Sequence, residues 1–137
     1  MRLAQHTIWI ARTPEEVFDF FIDFSQAPRW RQYVRTMELT GAPPVRAGSQ
    51  VHVTMDLSGG AYAFDLEVLV CQRPSLWRHR THESDFSGFI EYHFEPDHAG
   101  TRVTMTMKAT PRGPLWLARS AAHAAAANLR SRTSSAV

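Results

Sequence analysis

The chain has 137 residues, a length that one hydrophobic core can organise, and its 44% hydrophobic and 20% charged residues are the balance of a globular domain rather than a disordered or fibrous chain. Its net charge of +2 comes from a basic set in which Lys108 is the only lysine, and a scattered excess without a recognisable binding motif argues against nucleic acid as a partner. Cys71 is the only cysteine, which excludes an internal disulfide framework and a thiolate metal cluster.

Leu3 to Ala11 alternates, with Thr7 and Trp9 opposing Ile8 and Ile10, and reads as a first strand. Thr13-Pro14-Glu15-Glu16 then combines an N-cap, a proline at the first helical position and a glutamate three residues after the cap, so a helix is expected to start there. Val17, Phe21 and Phe24 form its apolar stripe, widened by Phe18 and Ile22, and a face this broad needs a sheet to lie against. Pro28 interrupts the pattern, and Arg29 to Val34 reads as a second short helix with Trp30, Tyr33 and Val34 on its apolar side.

Beyond Gly41, Pro43, Pro44 and Gly48 the chain becomes a meander. Strands are expected at Thr36–Thr40, Gln50–Leu57, Tyr62–Gln72, Leu76–Glu83, Gly88–Glu95 and Arg102–Thr110, and connections this short imply antiparallel pairing. From Pro114, Leu115-Trp116-Leu117 leads into an alanine-rich run ending near Arg130 and Arg132, which reads as a long final helix followed by a frayed tail, 131–137. The whole of 1–137 is read as one α+β domain.

Three local patterns recur in a known order. Thr13-Pro14-Glu15-Glu16-Val17-Phe18, Asp23 with Pro28-Arg29-Trp30, and Phe94-Glu95-Pro96 before Gly100-Thr101-Arg102-Val103 together resemble the opening helix, the following turn and the last hairpin of the START/Bet v 1-like (SRPBCC) superfamily, in its polyketide cyclase/dehydrase and lipid-transport branch. The resemblance implies a helix-grip fold: a curved, antiparallel seven-stranded sheet wrapped around a long C-terminal helix, with two short helices between strands 1 and 2. It also implies a cavity between sheet and helix. Members range from lipid and sterol carriers to aromatase/cyclases, so the fold alone does not choose a function.

Strand parity then selects a lining. Val51, Val53 and Met55 are expected inside, as are Phe64, Leu66, Val68 and Val70, opposed by Asp65 and Glu67. Placing Arg78 and Arg80 outside turns Trp77, His79 and Thr81 inward; Ile90, Tyr92 and Phe94 oppose Glu91, His93 and Glu95; Val103, Met105 and Met107 oppose Arg102, Thr104 and Lys108. Tyr62 and Trp116 are added to the ligand-binding set, with Trp30 and Tyr33 near the expected mouth. Such a pocket suits an apolar ligand oriented by one or two hydrogen bonds.

His79 and Tyr92 are the candidates for chemistry, one as a group that exchanges protons near neutral pH and the other as a donor to a carbonyl. By resemblance to family cyclases they would serve aldol closure and dehydration of a polyketide-like substrate. No nucleophile elbow or phosphate loop is present, and Cys71 has outward or edge parity with nothing to lower its pKa. His79 and His82 fall on opposite faces of a strand, so no metal is expected, and no cofactor. The N-terminus lacks a secretory pattern and no run reaches the ~18 apolar residues of a membrane span, so a cytoplasmic location without integral membrane association is expected. A carrier of a small hydrophobic molecule leads. A cyclase/dehydratase-like enzyme, and an interaction module that presents a sheet edge or the Arg29/Arg31/Arg35 surface to a protein, stand beside it. A homodimer is left open.

Overall fold

The alternation from Gln50 onward is realised as a meander in the computed structural model, which describes residues 2–31, 33–81 and 86–111. The expected final helix with Trp116, and the tail 131–137, lie outside the described residues. The elements are β1 (Arg2–Ile10), α1 (Pro14–Ile22), a single 3-10 turn (Phe24–Gln26), α2 (Ala27–Trp30), β2 (Val34–Thr40), β3 (Gln50–Leu57), β4 (Gly60–Gln72), β5 (Leu76–Thr81), β6 (Phe86–Asp97) and β7 (Gly100–Pro111). All seven strands form one antiparallel sheet in the order β1-β7-β6-β5-β4-β3-β2.

That order explains the helices. β1 and β2 are consecutive in sequence but occupy opposite edges, six strand spacings of about 4.8 Å apart, roughly 29 Å. The chain between them must cross one face of the sheet, and its apolar side chains make that face the core. α1 begins at the Thr13 N-cap, whose Oγ1 accepts the Glu16 N–H at 3.2 Å and donates to Glu16 Oε1 at 3.1 Å. Its Val17, Phe18 and Phe21 are buried, with Phe18 edge-on to Phe94 of β6 at 5.1 Å. On the far side of α1, Asp19 takes a bidentate bond from Arg73 in the β4–β5 turn, at 2.7 and 2.9 Å. Both groups are about half exposed, so this tether orients the helix more than it stabilises it.

The second helix differs from the expectation. Pro28 sits in the first turn of α2, where a proline loses no hydrogen bond, and α2 ends at Trp30. Arg31 is already extended, at φ −96° and ψ 105°, and β2 starts at Val34. Tyr33 and Val34 therefore belong to the approach and start of a strand. Tyr33 is exposed, and its carbonyl accepts from Asp56 N–H at 2.8 Å.

Three register shifts, at Arg2/Ala4, Val34/Thr36 and Val68/Val70, bend the sheet around the core. The third also corrects the expected parity. Val68 pairs with His79 on the inner face, but beyond the bulge Val70 pairs with Arg78, on the outer face, and Cys71 pairs with Trp77. Cys71 is thus turned toward the core, and burial pushes its thiol pKa up, away from reactivity.

The outer face is a charge ladder of Arg80 with Glu67, Arg78 with Glu91, and Arg102 with Glu95. Glu91 is the exception among its carboxylates, being buried. Burial pushes its pKa up, and the Arg78 hydrogen bond with the nearby charges of Arg78, His93 and Lys108 outweighs this, so its carboxyl is held below the ordinary value.

At the β6–β7 hairpin the Trp9 indole donates to Asp97 O at 3.0 Å and lies over Gly100. A Cβ on Gly100 would collide with the Ile10 carbonyl oxygen and approach the Trp9 ring to 2.6 Å. The carbonyl accepts the Arg12 N–H at 2.8 Å, at the strand end where Ile10 is in register with Thr101, and has little freedom to retreat. Gly100→Ala is expected to cost about 2 kcal/mol through this clash, measured as a lower urea midpoint at unchanged m-value.

Candidate functional site

The inner face gathers its aromatics around α1. Phe21 lies 4.5 Å from Tyr92, 5.4 Å from Phe94, 5.7 Å from Trp77 and 5.8 Å from Trp30, ring centre to ring centre. β5 and β6 contribute opposite one another, since Trp77 pairs with Tyr92 and His79 with Ile90 in register. His79 and Tyr92, both buried, come together with ring centres 6.4 Å apart in a stacked arrangement.

Other expected lining residues follow the same face. Trp30, Val53, Leu66, Trp77, Met105 and Met107 are buried, while Met55, Phe64, Thr81 and Ile90 are partly buried. Tyr33 and Tyr62 are the departures, 36% and 41% exposed. Tyr62 precedes Val68, the partner of His79, by six residues along β4, about 20 Å of strand, and contacts Phe64 near the β3–β4 hairpin. It does not join the His79–Tyr92 pair.

The Trp77 indole N–H donates to His79 Nδ1 at 2.8 Å. With that nitrogen occupied as an acceptor, the neutral ring carries its proton on Nε2 and presents a donor. Burial, with the Arg31 charge adding to it, lowers the His79 pKa to about 3, so the ring is neutral at physiological pH. In this tautomer His79 has no free lone pair with which to remove a proton from a substrate.

Sequence reading missed Arg31. The expected basic surface of Arg29, Arg31 and Arg35 does not exist as a patch: Arg29 bonds Gln26 Oε1 at 2.6 Å, Arg35 pairs with Asp56, and Arg31 turns inward. Its Cζ lies 4.2 Å over the Trp30 ring and 4.9 Å over Phe21, and its guanidinium lies beside the Tyr92 hydroxyl. Burial pulls the arginine pKa down, and it pushes that of Tyr92 up against the opposing effect of Arg31. Among the described residues, the buried side-chain atoms without a hydrogen-bond partner are Arg31 Nε, Trp30 Nε1 and Thr81 Oγ1. Also among the described residues, no group of three or more His, Cys, Asp or Glu side chains is placed to hold a metal ion, and no helix is long and apolar enough to cross a membrane.

A family model described as polyketide cyclase/dehydrase and lipid transport matches residues 1–135. The chain belongs to that family. Its fold is that of START and Bet v 1-like proteins, as solved structures show. Ara h 8.0201 superposes with a TM-score of 0.75 at 9% identity, covering 91% of this chain and 90% of the other. A START superfamily protein from Mycobacterium smegmatis gives 0.75 at 13% identity, covering 96% and 94%. The di-domain ARO/CYC StfQ from the steffimycin biosynthetic pathway gives 0.74 at 12% identity, with 92% of this chain covering 48% of that one. At these identities the likeness is one of fold. No curated protein matches the chain in sequence.

Proposed function

We propose that this member of the polyketide cyclase/dehydrase and lipid-transport family binds a small, largely apolar molecule on the concave face of its sheet, between β4, β5 and β6 and the α1–α2 segment. The observation that carries the reading is the set of unpartnered polar atoms, Arg31 Nε, Trp30 Nε1 and Thr81 Oγ1, on a face otherwise made of aromatic and aliphatic side chains. Buried polar groups in folded proteins almost always find partners, and leaving one without costs about 1–3 kcal/mol. A bound molecule with an apolar body and a polar end would satisfy both halves of such a face. Family membership supports the same reading.

Thermal unfolding against fatty acids, sterols, quinones and polycyclic aromatic ketones tests it. A ligand at 100 times its Kd adds about 2.7 kcal/mol to stability, and a clear rise in Tm with one class is expected. A flat response across all four classes would sink the proposal.

A further inference from the structure

We infer that the ligand of this site carries a carboxylate and that Arg31 receives it, an assignment that rests on the ligand-binding reading above. Arg12, Arg35, Arg73, Arg78, Arg80 and Arg102 each pair with a carboxylate. Arg31, lying over the Trp30 and Phe21 rings, has none among the described residues. It lies beside the neutral Tyr92 hydroxyl, and its Nε–H is buried and unused. The Arg31 side chain is partly buried and its Nε fully so, and a guanidinium drawn out of water is ordinarily balanced by an anion, because the attraction must offset a desolvation cost that can reach several kcal/mol.

The groups around it share one polarity. Trp30 Nε1–H can only donate, and its donor is unused. His79 is left with Nε2–H because Trp77 fills Nδ1. Beside the Arg31 cation the Tyr92 hydroxyl turns its oxygen toward the charge, which leaves its O–H to donate onward. Thr81, with its unpartnered Oγ1, is two residues from His79 on the same strand face. Donors and an uncompensated cation complement a group that only accepts and carries negative charge. A planar carboxylate does both and matches the guanidinium fork in shape, whereas an ammonium or a ligand rich in donors would meet like polarity. The aromatic surfaces of Phe21, Trp77 and Phe94 remain for the apolar body.

Isothermal titration of the full chain at pH 7.5 with two matched pairs tests this. The pairs are 2-naphthoate with its methyl ester and dodecanoate with its methyl ester, so that aromatic and chain-like acids are separated. In at least one pair the acid is expected to bind about 30-fold or more tightly than its ester, the range for losing one partner of an enclosed charge pair. Arg31→Gln should bring the acid down to the level of the ester and leave the ester within about threefold of its wild-type affinity, since the apolar contacts persist. Arg31→Lys, which keeps the charge but loses the planar fork, should fall between the two. Esters that bind as well as acids, or quinones and sterols that bind where acids do not, would overturn the carboxylate assignment while leaving the ligand-binding reading standing. Silence from both pairs and from the wider panel would remove both. Circular dichroism confirms that the glutamine variant is folded, and if it is not, the acid-to-ester ratio of the wild-type protein decides alone.

Discussion

Replacing Phe21 with alanine is expected to lower stability by about 3–5 kcal/mol, a fall in Tm on the order of 10 °C or more. Phe21 is the side chain at which α1, α2, β5 and β6 meet, in ring contact with Trp30, Trp77, Tyr92 and Phe94, and it is 4% exposed. The strands beneath it are fixed by their ladders, and α1 is held from outside by the Asp19–Arg73 tether, so the cavity left by truncation has little freedom to collapse. Phe20, one residue earlier, is only partly buried, and the same truncation there should cost clearly less. Thermal unfolding of the two variants side by side is the check. Equal, small losses would mean that the ring cluster does not join helix to sheet.

Acid is expected to destabilise the protein through His79, beginning at a pH where carboxylates are still ionised. In the folded chain the ring stays neutral down to about pH 3, held there by burial and by the Arg31 charge, while in the unfolded chain it protonates near 6.5. Between those values the unfolded state binds more protons than the folded one, so stability rises with pH across the window. The contribution is fully present above about pH 6.5 and is lost as the pH falls, by about 1.4 kcal/mol per unit once the unfolded histidine is mostly protonated. Asp19, lowered chiefly by its bond from Arg73, and Glu91, whose burial is outweighed by the Arg78 bond, act with the same sign but below the ordinary carboxyl range. Urea midpoints at pH 7 and pH 5 lie above the carboxyl range, and comparison with a His79 variant separates this histidine from the other six. The wild-type protein should lose about 2 kcal/mol between them. His79→Gln, whose amide oxygen can still accept from Trp77, should lose much less. Identical losses in the two proteins would show that His79 is not the group responsible.

The legible parts of this chain were those governed by short-range rules. Thr13 to Glu16 announces a helix because the cap, the proline and the glutamate answer one another within four residues, and the cap bonds form as expected. Gln50–Leu57 keeps its bounds, and Trp77 and His79 turn inward, because alternation on a pleated strand is local. The failures share a different character. Pro28 looked like a break and is the first turn of α2. Val70 and Cys71 exchanged faces because a bulge adds one residue without changing the composition around it. Glu91 keeps its expected outward face, but its burial there beside Arg78 was not signalled by parity.

The sequence by itself determined the order of strands and helices, the capped start of α1, the apolar face of the meander and the family to which the chain belongs. These depend on period, capping and turn chemistry, which act over a few residues. Only the tertiary structure decided that β1 and β2 take opposite edges and send α1 and α2 across the concave face. That crossing turns Arg31 inward at the junction of helix and strand, where neither helical nor strand period applies. It also set the Arg31 charge near His79, and left Arg31 without a carboxylate among the described residues. The physical reason is one of range: the surroundings of Arg31 are set by residues far along the chain, such as His79 and Tyr92, which no local period connects to it.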